Sequence, residues 1–399
     1  VLPRTENCQV SFEPGKARSP VNLSDLYIMS DKESNVSQNE CEAPPTQHTS
    51  VVASHYNNLK DKGLKERYNS PIFYLRNFNN WVKSVLISEY ISKIKEKDYC
   101  RHLKVLDICC GKGGDIAKWQ KSFVDHVVFA DIADVSIKQC QARYEALNPR
   151  QSKIFTAEFI AADCTKICLR EKYHDPSIRF DLVSCQFGFH YSFESLTQAR
   201  RMLMNISECL RPGGYFIGTI PNANEIVARA QKSPNMQFGN KVYNIKLLFD
   251  PKDGYPLFGA KYDFQLEGVV DCPEFLVYTK VFYELAREYD LEVVYEAGFE
   301  QFYKDHLNDH RQLLSKISSL ESYPAPPGKE LLGDEETDYD HVKTFLEDEH
   351  RKNQNHKVGT MAKSQWEVAS NVIGITFNLT SKWHYANKKT CFSYITITV

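Results

Sequence analysis

The chain has 399 residues, 42% hydrophobic and 25% charged, with 49 Lys and Arg against 51 Asp and Glu for a net charge of −2. That composition excludes a wholly disordered or collagen-like chain. A charge near zero excludes nucleic-acid binding by bulk positive charge and leaves room for a local basic groove.

The first residue is Val1, so upstream sequence is expected. Val1 to Ser30 has no apolar run of signal-peptide type, and no stretch nears the roughly 18 apolar residues of a membrane helix. Residues 1–50 have only Phe12 and Tyr27 as aromatics, carry five prolines, and hold seven acidic residues to four basic ones. Such a segment buries too little apolar surface to offset its ordering entropy, which predicts a disordered N-terminal tail over 1–50. It has no Lys/Arg cluster of the nuclear-import kind.

Composition changes near Val51, and a folded domain is expected over 51–380. Ile72–Lys95 carries apolar and aromatic residues at mostly helical spacing. An alternation then begins: strand Lys104–Ile108, helix Asp115–Gln120, strand His126–Ala130, helix Ser136–Leu147, strand Phe159–Ala162 and strand Phe180–Gln186. Helix Ser195–Leu210 follows, stopped at Arg211-Pro212-Gly213-Gly214, and then strand Tyr215–Ile220. This alternation predicts a parallel α/β sheet. Residues 221–268 are rich in Gly and Pro and are expected to be an insertion. A helix Val281–Tyr289, a strand Leu291–Tyr295, an acidic excursion over 324–357 and a late strand Val372–Leu379 complete the domain, and 381–399 stays unassigned. The twelve cysteines include no CxxC pair, and several lie inside apolar elements. They are expected to be reduced thiols, which suits the cytosol or nucleus, and no metal site is expected.

The densest signal is KVLDICCGKGGD, Lys104–Asp115, where an apolar strand passes through Gly111, Gly113 and Gly114 into a helix. Glycines let a backbone turn tightly against a ligand, and ligands of open α/β sheets bind at the strands' carboxyl ends. A dinucleotide GxGxxG loop matches except that Cys109 fills the first position. The S-adenosylmethionine pattern (D/E)xGxGxG matches at Asp107, Gly111 and Gly113, again with Cys109 in place of the first glycine. A purely structural strand–turn–helix is the third possibility. Asp131 ends the second strand, where an acid can take both ribose hydroxyls. Asp163 follows the third, where a carboxylate can accept from an adenine amine. Either acid alone could cap a helix; the ordered series Asp107, Asp131, Asp163 favours adenosine.

The segments RNFNNWVKSVLI (Arg76–Ile87), CCGKGGDIAKW, DIADVSIKQCQARY, SCQFGFHYSFES, RPGGYFIGTIPN and YPLFGAKYDFQLEGVVDCPEFLVY resemble the eukaryotic mRNA cap guanine-N7 methyltransferases, over about 51–379. The resemblance implies a class I S-adenosylmethionine-dependent methyltransferase, a Rossmann-like α/β fold with a seven-stranded, mostly parallel sheet and an inserted lobe. It implies S-adenosyl-L-methionine as cofactor, held by Lys83, Cys109, Asp131, Asp163, Gln186 and Tyr191. It places the cap guanine against Glu274, whose one carboxylate can accept from both N1–H and the exocyclic amine. His190, Asn79 and Asn80 are implied as further cap contacts. Lys112, Lys118 and Arg143 are implied near the triphosphate bridge. Without the resemblance Lys83 reads as a solvated helix charge, Tyr191 and His190 as core, Glu274 as a surface carboxylate, the asparagines as turn or cap residues, and the three basic residues as ordinary exposed charges. No side chain is expected to act as a chemical catalyst. Implied partners are capped pre-mRNA, the transcription-coupled capping machinery and a small activating subunit, in the nucleus and away from membranes.

Two departures bear on activity. Cys109 stands where the pattern has glycine, which is expected to weaken cofactor binding through its Cβ or its backbone angles. Val372 stands where the family is expected to have an aromatic cap contact, a loss of about 1–3 kcal/mol by analogy with base stacking. A cap-binding or scaffold pseudoenzyme on the same fold is therefore the competing reading. A nicotinamide-dependent oxidoreductase is a more distant one.

Overall fold

The computed structural model describes residues 47–59, 63–98, 102–147, 154–347 and 357–380. Most of the expected tail over 1–50, and all of 381–399, lie outside the described residues. The exception is a helix, α1 (Gln47–Asn58), which begins inside the expected tail.

A short α2 (Leu64–Tyr68) leads to α3 (Phe73–Lys97), whose buried stripe includes Leu75, Phe78, Trp81, Val82, Val85 and Leu86. The sheet then builds in chain order: β1 (Lys104–Ile108), α4 (Ile116–Lys121), β2 (His126–Asp131), α5 (Asp134–Glu145), β3 (Thr156–Ala161), β4 (Phe180–Gln186), α6 (Leu196–Ser207) and β5 (Leu210–Pro221). Later come α8 (Thr279–Arg287), β10 (Leu291–Gly298) and β13 (Val372–Leu379), after the lobe described below. The seven-stranded order is β10-β13-β5-β4-β1-β2-β3. β1 to β5 pair in parallel, and β13 is antiparallel to both β5 and β10.

Alternate residues of each strand enter opposite layers, as the two-residue period of a strand requires. Val105, Val127, Phe129 and Leu182 pack with α3 on one face. Leu106, Val128, Val183 and Cys185 pack with α6 and α8 on the other, where Met202, Leu203 and Phe282 are buried. Both faces are covered, which is why β1 and β4 read as continuous apolar runs.

Two expectations need correction. The segment Leu210–Gly214 belongs to β5 rather than to the end of a helix: α6 stops at Ser207, and the register slips between Phe180/Leu210 and Leu182/Tyr215, so Pro212 and Gly213 sit in a bulge. The insertion is larger than 221–268. It holds α7 (Ala223–Gln231), β6 (Gln237–Gly239), β7 (Tyr243–Leu247), β8 (Lys261–Leu266) and β9 (Val270–Phe275), an antiparallel sheet in the order β6-β7-β8-β9. The excursion is closed at its base, where β11 (Glu321–Tyr323) pairs with β12 (Val358–Thr360), and it contains α10 (Asp340–Glu347). Helices α9 (Phe299–Lys316) and α11 (Lys363–Ala369) fall where no element was expected. No described helix is long and apolar enough to cross a membrane. The eight cysteines among the described residues are free.

Candidate cofactor and purine site

The loop after β1 is set by its backbone angles. Cys109, Gly111 and Gly113 all have positive φ, at 57°, 53° and 74°. A Cβ on Gly113 would lie 2.5 Å from Ile116 Cδ1 and 2.8 Å from Cys140 Sγ, so only glycine fits there. Cys109 takes a left-handed angle that non-glycine residues rarely adopt. Its side chain turns to Gly188 and Cys185: a Cβ built on Gly188 would lie 2.8 Å from Cys109 Sγ and 3.5 Å from Cys185 Sγ.

Asp131, the last residue of β2, braces this loop. Its carboxylate accepts from the Gly111 amide at 2.8 Å and the Ala133 amide at 2.9 Å. Burial pushes its pKa up against those two bonds. Asp107 is 2% exposed and accepts from Trp119 Nε1 at 2.9 Å, a contact within the core of the fold. Burial and the neighbouring Asp115 raise Asp107 to about 8. Asp115 itself is pushed up by burial, but Lys83 and Lys118 outweigh this and hold it at about 2.

Those lysines belong to one cluster. Lys83 Nζ lies 2.8 Å and Lys118 Nζ 2.7 Å from Asp115 Oδ1, and Lys118 donates to Asn80 Oδ1 at 3.2 Å. Lys83, implied for the cofactor, therefore stands beside Asn80 and Lys118, implied for the cap. Burial lowers the Lys118 pKa. Lys112 donates to the Leu59 carbonyl just past α1, and Arg143 lies half-buried in the last turn of α5. Asn79 Oδ1 is buried with no hydrogen-bond partner among the described residues.

Two acceptors at the strands' carboxyl ends are also buried and take no hydrogen bond among the described residues. Asp163 Oδ1 takes the Thr165 amide and hydroxyl, at 3.0 and 2.6 Å, while Oδ2 accepts no hydrogen bond and stands 3.6 Å from Lys166 Nζ. Gln186 donates from Nε2 to Ser184 Oγ at 3.2 Å and leaves Oε1 unpaired. Buried acceptors without donors are costly, and an adenosine-type ligand brings amine and hydroxyl donors. The residues present fit S-adenosylmethionine.

Past Gln186 the chain turns through a 3₁₀ segment, Phe189–Glu194, that presents His190 and Tyr191 to β9. Glu274 is buried there, 4% exposed, and is not a surface carboxylate. Tyr262, its cross-strand partner on β8, donates to Oε2 at 2.5 Å. His190 Nε2 is 3.3 Å and the Tyr191 hydroxyl 3.5 Å from Oε1. Tyr191 also meets the Tyr56 hydroxyl of α1 at 3.1 Å and Cys272 Sγ at 3.4 Å. Tyr191, implied for the cofactor, thus stands in the Glu274 pocket. His190 Nδ1 has no hydrogen-bond partner among the described residues. Sequence reasoning missed Tyr262, Cys272 and all of α1. The three-residue hairpin turn Glu267–Val269, counted outward, pairs Tyr262 with Glu274.

Val372 is half-buried, pairs with Pro221 across the sheet and packs against the main apolar cluster.

The family described as the mRNA (guanine-N(7))-methyltransferase domain matches residues 39–380. An mRNA cap guanine-N(7) methyltransferase of Drosophila melanogaster is 47% identical over 356 residues, 87% of this chain and 81% of the relative. One from Caenorhabditis elegans is 41% identical over 332 residues, 80% of this chain and 84% of its own. A solved S-adenosylmethionine-dependent methyltransferase from Clostridium acetobutylicum aligns at 11% identity and TM-score 0.38, over 74% of this chain and 91% of that one. The chain belongs to the mRNA (guanine-N(7))-methyltransferase family.

Proposed function

We propose that this chain transfers a methyl group from S-adenosylmethionine to N7 of the terminal guanosine of GpppRNA. One observation carries the reading. Buried acceptors that take no hydrogen bond among the described residues, at Asp163 and Gln186, stand at strand ends, and the short turn after Gln186 carries His190 and Tyr191 to a buried carboxylate suited to guanine, Glu274. Lys83, Asp131, Asp163 and Gln186 hold the cofactor, and Cys109 shapes the loop beneath it. When bound, the cofactor supplies an electrophilic methyl group on a positively charged sulfur. Glu274 accepts from the guanine N1–H and exocyclic amine, with His190 and Tyr191 beside it and Asn79 and Asn80 as further cap contacts. Lys112, Lys118 and Arg143 serve the triphosphate.

Guanine N7 has a lone pair and no proton to lose, so no side chain need act as a base. The work of the chain is alignment and a suitable field. Tyr262 and His190 fix the carboxylate that orients the base. The same reading puts RNA binding at this crevice. It also puts the chain on capped pre-mRNA in the nucleus, beside the transcription-coupled capping machinery and a small activating subunit.

The test is calorimetric binding of S-adenosylmethionine, then transfer of labelled methyl to GpppRNA. Binding with methyl incorporation is expected. A chain that binds a cap analogue but neither binds the cofactor nor incorporates methyl is the pseudoenzyme, and overturns the proposal.

A further inference from the structure

Helix α1 carries a side chain that the site above leaves unused. His48 is 9% exposed, and neither of its ring nitrogens has a hydrogen-bond partner among the described residues. Its ring stands edge-on to Phe275, 4.5 Å between centroids, and 6.4 Å from the Tyr191 ring. Phe275 follows Glu274 on β9, and Tyr191 reaches toward the Glu274 carboxylate, so the imidazole belongs to the same pocket. The charged and titratable groups around it are Glu194, Lys261, His190 and Glu274.

The helix that carries it is seated from two sides. Tyr56, two turns on, meets the Tyr191 hydroxyl at 3.1 Å. Asn57 donates to Asp134 Oδ1 at 3.1 Å and accepts from the Val135 amide at 3.2 Å, at the start of α5. The position of His48 is therefore set by contacts on both flanks. Burial lowers its pKa to about 4, so the ring is neutral at pH 7 and offers one donor and one acceptor. An imidazole used only for packing has no need of two buried nitrogens, and leaving them unpaired is costly unless a ligand completes them. His190 adds a third such nitrogen, Nδ1, while its Nε2 stands 3.3 Å from the Glu274 carboxylate.

We infer that His48 is a nucleobase-contacting residue of the purine pocket, so that α1 forms one wall of it and contributes to the choice of guanine. The inference rests on the assignment of Glu274 to the guanine.

The test uses the full chain and its His48→Phe and His48→Gln variants. Phenylalanine keeps a ring and removes both nitrogens; glutamine keeps a donor and an acceptor. Calorimetry with GpppG, ApppA and S-adenosylmethionine is run on all three. The unsubstituted chain is expected to prefer GpppG. In His48→Phe, GpppG affinity is expected to fall about tenfold, the worth of one good hydrogen bond, and the preference over ApppA to shrink with it. Affinity for S-adenosylmethionine is expected to stay within about twofold, since a purine-side contact leaves cofactor binding alone. His48→Gln recovers most of the loss. Unchanged GpppG binding in His48→Phe overturns the inference. Equal loss of GpppG and S-adenosylmethionine, or no recovery in His48→Gln, assigns His48 to packing and overturns it as well. If the unsubstituted chain binds S-adenosylmethionine but not GpppG, the assignment of Glu274 fails first, and the inference with it.

Discussion

Replacing Gly188 by alanine tests how the loop accommodates Cys109. An added Cβ would lie 2.4 Å from Cys109 Cβ and 2.8 Å from its Sγ. Gly188 itself has φ −135° and ψ −23°, angles open to any residue, so only this collision opposes a side chain there. Overpacking of this kind costs about 1–3 kcal/mol. Glycine at 109 removes the obstructing atoms and relieves the left-handed angle at φ 57°, a gain of about 1 kcal/mol. It also forfeits the packed thiol, a loss of about 1 kcal/mol. Cys109→Gly is therefore expected to be near neutral, Gly188→Ala to be destabilised by about 1–3 kcal/mol, and the double variant to match Cys109→Gly. Urea unfolding of the four proteins reads the coupling. Effects that add to within about 0.5 kcal/mol refute the argument that the two positions share one side-chain volume. The same proteins test the cofactor expectation. S-adenosylmethionine is expected to bind Cys109→Gly more tightly by calorimetry, and equal affinities in the two proteins refute the steric argument.

Asp163→Ala removes the Oδ2 acceptor and is expected to weaken S-adenosylmethionine at least about tenfold by calorimetry, with GpppG affinity unchanged; unaltered cofactor affinity refutes that role. His190→Gln is expected to lose cap affinity while keeping the single-turnover rate constant for methyl transfer. A pH–rate profile that vanishes with His190 would assign it a proton-transfer role instead. Asp107, raised to about 8, holds a proton in the folded chain that the unfolded chain has released. Its contribution to stability is complete below the unfolded value of 3.8 and is lost as pH rises through about 8. Asp107→Asn keeps an acceptor for Trp119 and is expected to flatten the fall in Tm between about pH 6 and 9; equal falls in both proteins oppose the assignment.

Strands Lys104–Ile108, Phe180–Gln186 and Val372–Leu379 are legible in the sequence to the residue, because each is a short apolar run buried on both faces. Helix α9 is not, because Phe299, Phe302, Tyr303 and Leu314 are its only buried residues and the rest is polar, too narrow a stripe to stand out. Helix α1 is hidden for another reason. Its worth lies in contacts with β9, the 3₁₀ turn and α5, which are over 75 residues away in sequence. Glu274, Asp163 and Gln186 could be named from motif position, but whether their oxygens are paired could not, since pairing depends on what the fold brings alongside. The Cys109–Gly188 contact is of the same kind: it exists only because β1 and β4 are neighbours.

That contact also bears on whether the departures at 109 and 372 signal decay. At 109 the extra side chain is matched by the absence of one at 188, so the loop closes without collision. At 372 the valine is packed in the main cluster, and the loss there is confined to one prospective stacking contact. The unpaired atoms argue more directly. On the cofactor side Gln186 Oε1, and on the purine side both His48 nitrogens and His190 Nδ1, have no hydrogen-bond partner among the described residues, a cost of about 1–3 kcal/mol each. A chain that only bound caps would have a ligand to offset the second set and none to offset the first. Both sets are present, joined by the turn that follows Gln186, and only a chain that takes cofactor and purine together relieves both.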